Sequence, residues 1–256
     1  GGNDSMDTVS RLSAYLADKD WEMRVMGVPK TIDNDLTGTD HTPGFGSAAK
    51  YIAVTVQEIL RDCAVYTVPA VTIVEIMGRD AGWLTASAAA GGYVSGFFPD
   101  LIYLPERDFS TAQFLADVRA AQAKHPNVVV AVSEGIRFAD GHYVGEGAQS
   151  GAVDAFGHAY LAGAGKVLEQ LVKQEIGCKV RSVELNLPLR CAAHLASESD
   201  LAESVGVGKA AVAAALAGVG GEMMSIERTG DEPYAVRFDH SSVSAIANRV
   251  RRVDDR

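Results

Sequence analysis

The densest run of chemically competent side chains is Pro29-Lys30-Thr31-Ile32-Asp33-Asn34-Asp35. Two carboxylates two residues apart, beside a lysine and a threonine, suit a metal–phosphate centre. One carboxylate can hold a hard divalent cation through oxygen while the other takes a proton from an attacking hydroxyl. The same residues also suit an Asx-rich surface turn, so the run alone leaves both readings open. Four further groups carry comparable chemistry. Gly1-Gly2-Asn3-Asp4-Ser5 opens a helical pattern, where glycines can offer backbone N–H groups to a phosphate, although a plainly capped helix start accounts for it equally. Met77-Gly78-Arg79-Asp80 joins a glycine that allows close backbone approach to a planar guanidinium fork. Ser133-Glu134-Gly135 sets a carboxylate at the end of an apolar run, and Arg181 and Arg190 flank residues 183–187.

Positioning such groups requires strands that deliver them to one edge of a sheet. Apolar spacing predicts helices over residues 6–16 (capped by Asp4 or Ser5), 46–62, 83–90, 111–124, 159–174, 200–217 and 242–250. Strands are expected over 23–28, 71–76, 101–104, 128–132 and 179–185. Hairpins are expected at 136–144, about Asp140-Gly141, and at 223–238. Apolar strands alternating with helices imply an α/β protein whose parallel sheet is covered on both faces. In such folds ligands gather at the carboxyl ends of strands, which is where the polar groups fall.

Composition narrows the classes of function. The 256 residues are 47% hydrophobic and 22% charged, enough for a buried core in one large domain or two modest ones. Twenty-three basic against 33 acidic residues give a formal charge of −10, which argues against broad binding to nucleic acid or an anionic membrane. Cys63, Cys178 and Cys191 have no CxxC spacing, so neither a zinc ribbon nor a disulfide framework is supported, and all three read as buried small residues. No apolar run reaches membrane-spanning length and GGNDSMDT is not a signal peptide, so a soluble, cytoplasmic protein is expected. The chain opens on Gly-Gly, a turn that normally follows a strand, so an upstream segment is also expected.

GGNDSMDT, GVPKTIDNDL, GFGSAAKY, VEIMGRDAGWL, VSEG, DAFGHA and RCAAH, in this order, resemble the phosphofructokinase family, and more narrowly its pyrophosphate-dependent branch. The resemblance spans residues 1–194 through its motifs and continues to Arg256; the family's leading strand and glycine-rich phosphate loop would precede Gly1. It implies two Rossmann-like lobes: residues 1–44 with 191–256 as the remnant of a donor-binding lobe, and 45–190 as a lobe for fructose 6-phosphate. It implies Asp33 as general base toward the sugar 1-hydroxyl, with Thr31 at the reacting end. Met77, Gly78 and Arg79 become the sugar-phosphate segment, Glu134 the acceptor for a sugar hydroxyl, and Arg181 and Arg190 the holders of the 6-phosphate. Arg181 would reach a neighbouring subunit's site, so a homodimer or homotetramer with shared sites is implied. Mg²⁺ is the implied cofactor, with Asn3 and Asp35 as its candidate ligands; Gly2, Asp4, Ser5 and Lys30 face the donor.

Donor choice rests on two of those residues. ATP-using relatives tend to carry glycine where this chain has Asp4 and Lys30. A carboxylate at position 4 repels the inner phosphate of ATP, and a lysine at position 30 is a point charge suited to compact pyrophosphate. Reversible transfer from pyrophosphate to fructose 6-phosphate is therefore the expected function. An ATP-dependent or mixed-donor enzyme and a non-catalytic sugar-phosphate binder are the alternatives. Asn3 stands where many relatives have aspartate, and Leu187 where many have histidine, with His194 or Lys179 as substitutes at the 6-phosphate. Gly163-Ala-Gly-Lys166 and Gly206-Val-Gly-Lys209 lack the rest of a Walker loop and read as helix glycines. His125, His142 and His240 read as surface residues, His158 as a helix-start residue, and Trp83, Phe97 and Phe98 as packing residues.

Overall fold

The structure is a computed structural model that describes residues 1–146 and 163–254. In chain order the elements are α1 (Asn3–Asp18), β1 (Met26–Gly27), α2 (Phe45–Ala64), β2 (Ala70–Ile76), α3 (Trp83–Ala86), α4 (Gly92–Ser95), β3 (Leu101–Tyr103), β4 (Asp108–Phe109) and α5 (Thr111–Gln122). They continue with β5 (Asn127–Ser133), β6 (Arg137–Phe138), α6 (Ala164–Glu175), β7 (Lys179–Glu184), α7 (Asn186–Cys191), α8 (Glu198–Leu216), β8 (Glu222–Asp231) and β9 (Tyr234–Ser242). Two compact units result: Gly1–Ser47 with His194–Arg251, and Ala48–Ala193 with Arg252–Arg256.

The second unit is built on a four-stranded, wholly parallel sheet in the order β3-β5-β2-β7. β2 and β5 are nearly continuous buried runs because parallel strands are covered on both faces. Val71, Ile73, Val130 and Val132 pack against Phe114 and Leu168 in its core. One charged residue interrupts these runs: Glu75 lies fully buried in the central strand. Its carboxylate accepts from Gly163 N at 3.1 Å and Gly165 N at 2.6 Å, at the start of α6, so that helix terminus is satisfied by the sheet beneath it. Burial pushes the Glu75 pKa up, against the opposing effect of these two N–H groups.

In the first unit β1, β8 and β9 form a sheet in that order, β1 parallel to β8 and β8 antiparallel to β9. Met6, Leu36, Met223, Val243 and Ile246 form one core beneath α1. Asp200 on α8 accepts from Gly44 N at 2.8 Å, from Ser47 N at 3.1 Å and from Ser47 Oγ, which ties α8 to the first turn of α2.

Several expectations are corrected. The strand expected at 23–28 is ladder-paired only at Met26–Gly27, and Met23 is exposed. The helix expected at 242–250 is one 3₁₀ turn, Val243–Ala245, since β9 runs through Ser242 and Asn248 is left-handed at φ 62°. The helix expected at 83–90 passes into a 3₁₀ turn at Ser87–Ala89 before α4. The first hairpin closes by a single bridge between Arg137 and Tyr143, and β6 instead pairs in parallel with β4. Neither Asp4 nor Ser5 caps α1; Gly2 is its N-cap and both residues lie inside the first turn. Cys178 is half-buried and Cys191 exposed, leaving Cys63 as the buried thiol, and Phe97 and Phe98 are exposed. Gly163 is the left-handed N-cap of α6, outside the helix proper. The DAFGHA motif, His158 and residues 159–162 lie outside the described residues. No helix among the described residues is long and apolar enough to cross a membrane.

Candidate functional site

The expected residues divide between the units. In the first, β1 leads into residues 28–35 beside the start of α1. Lys30 N donates to Gly1 O at 3.1 Å, and a Cβ on Gly2 would touch Thr31 Cβ at 3.8 Å, so the two chain segments run side by side. Asp4, Ser5 and Lys30 are exposed there, while Asn3, Asp33 and Asp35 are half-buried. Asn3 Nδ2 donates to Asp35 Oδ2 at 3.0 Å, a pairing across 32 residues. Gly2 caps α1 without a side chain, so the first-turn N–H groups keep the partial positive charge that favours an anion.

The Thr31–Asp35 turn is built from its own polar atoms. Asp33 N donates to Thr31 Oγ1 at 3.1 Å, and Thr31 Oγ1 donates to Asp33 Oδ2 at 3.3 Å, which orients the carboxylate. Asn34 takes the left-handed conformation at φ 57°, which asparagine tolerates better than most residues. Its buried Oδ1 accepts from Thr42 N at 3.1 Å, and Thr42 Oγ1 donates to Thr31 O at 2.7 Å. The asparagine between the acids therefore sets the reversal that directs them, and Thr42 braces it.

In the second unit Met77-Gly78-Arg79 follows β2 and Glu134 follows the adjacent β5, so parallel pairing sets both turns at the same sheet end. They interlock. Gly78 N donates to Glu134 Oε1 at 3.2 Å, Glu134 N donates to Ile76 O at 2.9 Å, and Ser133 Oγ donates to Gly78 O at 2.5 Å. Gly78 has φ +135°, and a Cβ there would lie 2.6 Å from Ala81 O, so the turn requires glycine. Arg137 Nη2 donates to Arg79 O at 3.1 Å and to Asp80 Oδ1 at 2.8 Å, while its guanidinium stacks 4.7 Å over Tyr143. Burial, with Asp80 beside it, raises the Tyr143 pKa.

The two arginines expected at the 6-phosphate are not grouped with these turns alike. Arg181 is level with Thr72 at the opposite end of β2, its guanidinium 3.8 Å from Asp62. Five strand positions from Met77 at about 3.3 Å each set it roughly 16 Å away along the sheet. Arg190, exposed in the last turn of α7, follows the carboxyl end of β7 and so shares the end that carries Met77 and Glu134. Exposed Leu187 lies on the same short helix. Sequence reading passed over Asn34, Thr42, Ser133, Gly135 and Arg137 as builders of the turns. An asparagine between two aspartates and a glycine after Glu134 were the only local signals available.

No group of three or more His, Cys, Asp or Glu able to hold a metal occurs among the described residues. Asn3 and Asp35 still fit a hard cation in type, since both offer oxygen and Asn3 Oδ1 is buried without a hydrogen-bond partner.

The phosphofructokinase family model matches residues 1–215. A pyrophosphate–fructose 6-phosphate 1-phosphotransferase of Xanthomonas campestris pv. campestris is 44% identical over 255 residues, covering 99% of this chain and 60% of the relative. A sulfofructose kinase of Alkalicoccus urumqiensis is 34% identical, over 99% of this chain and 65% of that protein. The crystal structure of a pyrophosphate-dependent phosphofructokinase from Marinobacter aquaeolei superposes with a TM-score of 0.84 at 34% identity, covering 99% of this chain and 60% of that one. The chain thus spans about 60% of the length of such relatives.

Proposed function

The chain belongs to the phosphofructokinase family, and from that premise we propose that it carries most of a pyrophosphate-dependent enzyme. That enzyme transfers a phosphoryl group reversibly from pyrophosphate to the 1-hydroxyl of fructose 6-phosphate, giving fructose 1,6-bisphosphate and phosphate. The observation that carries the reading is the grouping of Asp4, Lys30, Thr31, Asp33 and Asp35 at the start of α1. The relatives' names and the charges at positions 4 and 30 support the same donor.

Phosphoryl transfer asks the protein mainly for alignment and charge neutralisation. Asp33, oriented by Thr31 Oγ1, takes the proton of the attacking hydroxyl. Lys30 binds donor oxygens, and Asp4 excludes the longer polyphosphate of ATP by repulsion. Met77, Gly78 and Arg79 bind the sugar phosphate, and Glu134, held against Gly78 N, accepts from a sugar hydroxyl. Asn3 and Asp35 would hold Mg²⁺, which when bound neutralises charge on phosphate oxygens. Arg190 serves the 6-phosphate of its own subunit and Arg181, at the far end of the sheet, that of a neighbour; this makes the working form a homodimer or homotetramer, placed in the cytoplasm.

The test measures fructose 1,6-bisphosphate formation with pyrophosphate and ATP in parallel, on this chain and on a polypeptide extended upstream of Gly1 to the relatives' length. Turnover with pyrophosphate alone is expected in the extended form, and Asp33→Ala should lower kcat by about 10²–10⁴-fold with folding intact. Comparable ATP turnover would make it a mixed-donor enzyme. Binding of fructose 6-phosphate without turnover would leave a non-catalytic sugar-phosphate binder. Sulfofructose belongs in the acceptor panel, given the name of the Alkalicoccus relative.

A further inference from the structure

Arg251 reaches back 217 residues to the turn that holds Asp33 and Asp35. Its Nε and Nη2 donate to Asn34 O at 3.2 and 3.0 Å, and its Nη1 donates to Thr39 O at 3.0 Å and Asp40 O at 2.5 Å. Its backbone N donates to Asp35 O at 2.7 Å, and Leu36 and Val250 form an antiparallel bridge beside it. These four side-chain bonds end on main-chain carbonyls, so the guanidinium is matched to the path of residues 34–40. Burial lowers the Arg251 pKa, opposed by Asp40 and then Asp35, and the group stays charged at neutral pH.

The place of these bonds matters more than their number. Asn34 is the left-handed pivot between the two aspartates, with its side chain held by Thr42. Arg251 holds the carbonyl of the same residue and the backbone on its far side. A turn fixed at both faces keeps the carboxylates of Asp33 and Asp35 in one orientation. A lysine cannot reproduce this, because an ammonium is a single point and the guanidinium is a fork spanning three carbonyls.

We propose that Arg251 is a positioning residue for phosphoryl transfer, clamping the Asn34, Thr39 and Asp40 carbonyls so that Asp33 and Asp35 are pre-aligned. Its effect on rate rests on the function proposed above; the clamp itself does not. The test compares Arg251→Lys and Arg251→Ala with wild type and with an Arg249→Gln control in the extended polypeptide. Amide hydrogen exchange is followed across residues 33–42 and across β2 and β5. The expected result for Arg251→Lys is faster exchange, by about tenfold, confined to 33–42. Its kcat should fall about tenfold or more with the KM for fructose 6-phosphate within about twofold. Guanidinium ion should restore part of the Arg251→Ala rate, and Arg249→Gln should match wild type. Unchanged exchange in Arg251→Lys overturns the clamp. Faster exchange with unaltered kcat, or a loss carried by KM alone, overturns the positioning role. If wild type turns over neither donor the proposed function fails, while the exchange comparison still decides the clamp.

Discussion

Replacing Gly135 with alanine tests the interlock of the two turns at the end of the parallel sheet. The new Cβ would lie 2.0 Å from Arg79 O, 2.6 Å from Arg79 C and 2.7 Å from Arg79 Cα. Real Cβ atoms essentially never come within 3.0 Å, so at least 1.0 Å must open between two main-chain segments (3.0 minus 2.0). Three bonds resist: Ser133 Oγ to Gly78 O, Gly78 N to Glu134 Oε1, and Arg137 Nη2 to Arg79 O. Losing two at about 1 kcal/mol each, with about 1–3 kcal/mol of overpacking, gives about 3–5 kcal/mol. At about 2–4 °C per kcal/mol for a chain of this size, Tm should fall by roughly 6–20 °C. In the extended polypeptide the KM for fructose 6-phosphate should rise about tenfold, because Arg79 and Glu134 are displaced. Calorimetry on Gly141→Ala supplies the comparison, since that position has open space and only its φ of +89° to overcome, about 1 kcal/mol. A Gly135→Ala protein melting within about 2 °C of wild type would refute the steric argument.

Three other perturbations follow from the same reasoning. Asp4→Gly combined with Lys30→Gly should move donor preference toward ATP, read as the ratio of kcat/KM values, and a ratio that does not move would remove the charge argument for the donor. On α8, Gly206→Ala should destabilise because its Cβ would meet Phe238 Cζ at 2.4 Å, whereas Gly208→Ala, with nothing within 4 Å, should stabilise by about 0.5–1 kcal/mol; denaturant midpoints of the same sign at both positions would contradict this. Glu75 has a folded pKa raised above its ordinary 4.5, so its contribution to stability is fully present below 4.5 and is lost as pH rises through the folded value. Glu75→Gln should therefore flatten the fall in stability above that pH, and a variant whose pH–stability curve parallels wild type would show that Glu75 does not titrate differently on folding.

Much of the fold follows from local pattern. The β-branched runs of β2 and β5 and the apolar spacing of α2, α5 and α8 are strong enough over short windows to specify their elements, and their alternation specifies a parallel sheet. Weak windows were decided elsewhere. Residues 242–250 have helical spacing, yet β8 extends β9 through Ser242 by pairing along its length, and left-handed Asn248 ends any helix after it. Residues 23–25 are apolar enough for a strand but have no ladder partner, since β8 begins pairing at Glu222. At the candidate site, sequence by itself carried only the local part of the Thr31–Asp35 turn, because Thr31 acts on Asp33 two positions away and asparagine tolerates the left-handed conformation, while the brace from Thr42 comes from eight positions on. Only the tertiary structure decided that Asn3 bonds Asp35, that Gly135 lies against Arg79, that Arg181 stands at the other end of β2, and that Arg251 holds the turn from behind. Those contacts join residues from 32 to 217 positions apart, or in the case of Arg181 depend on strand register, and they arise only when helices and strands pack as whole bodies.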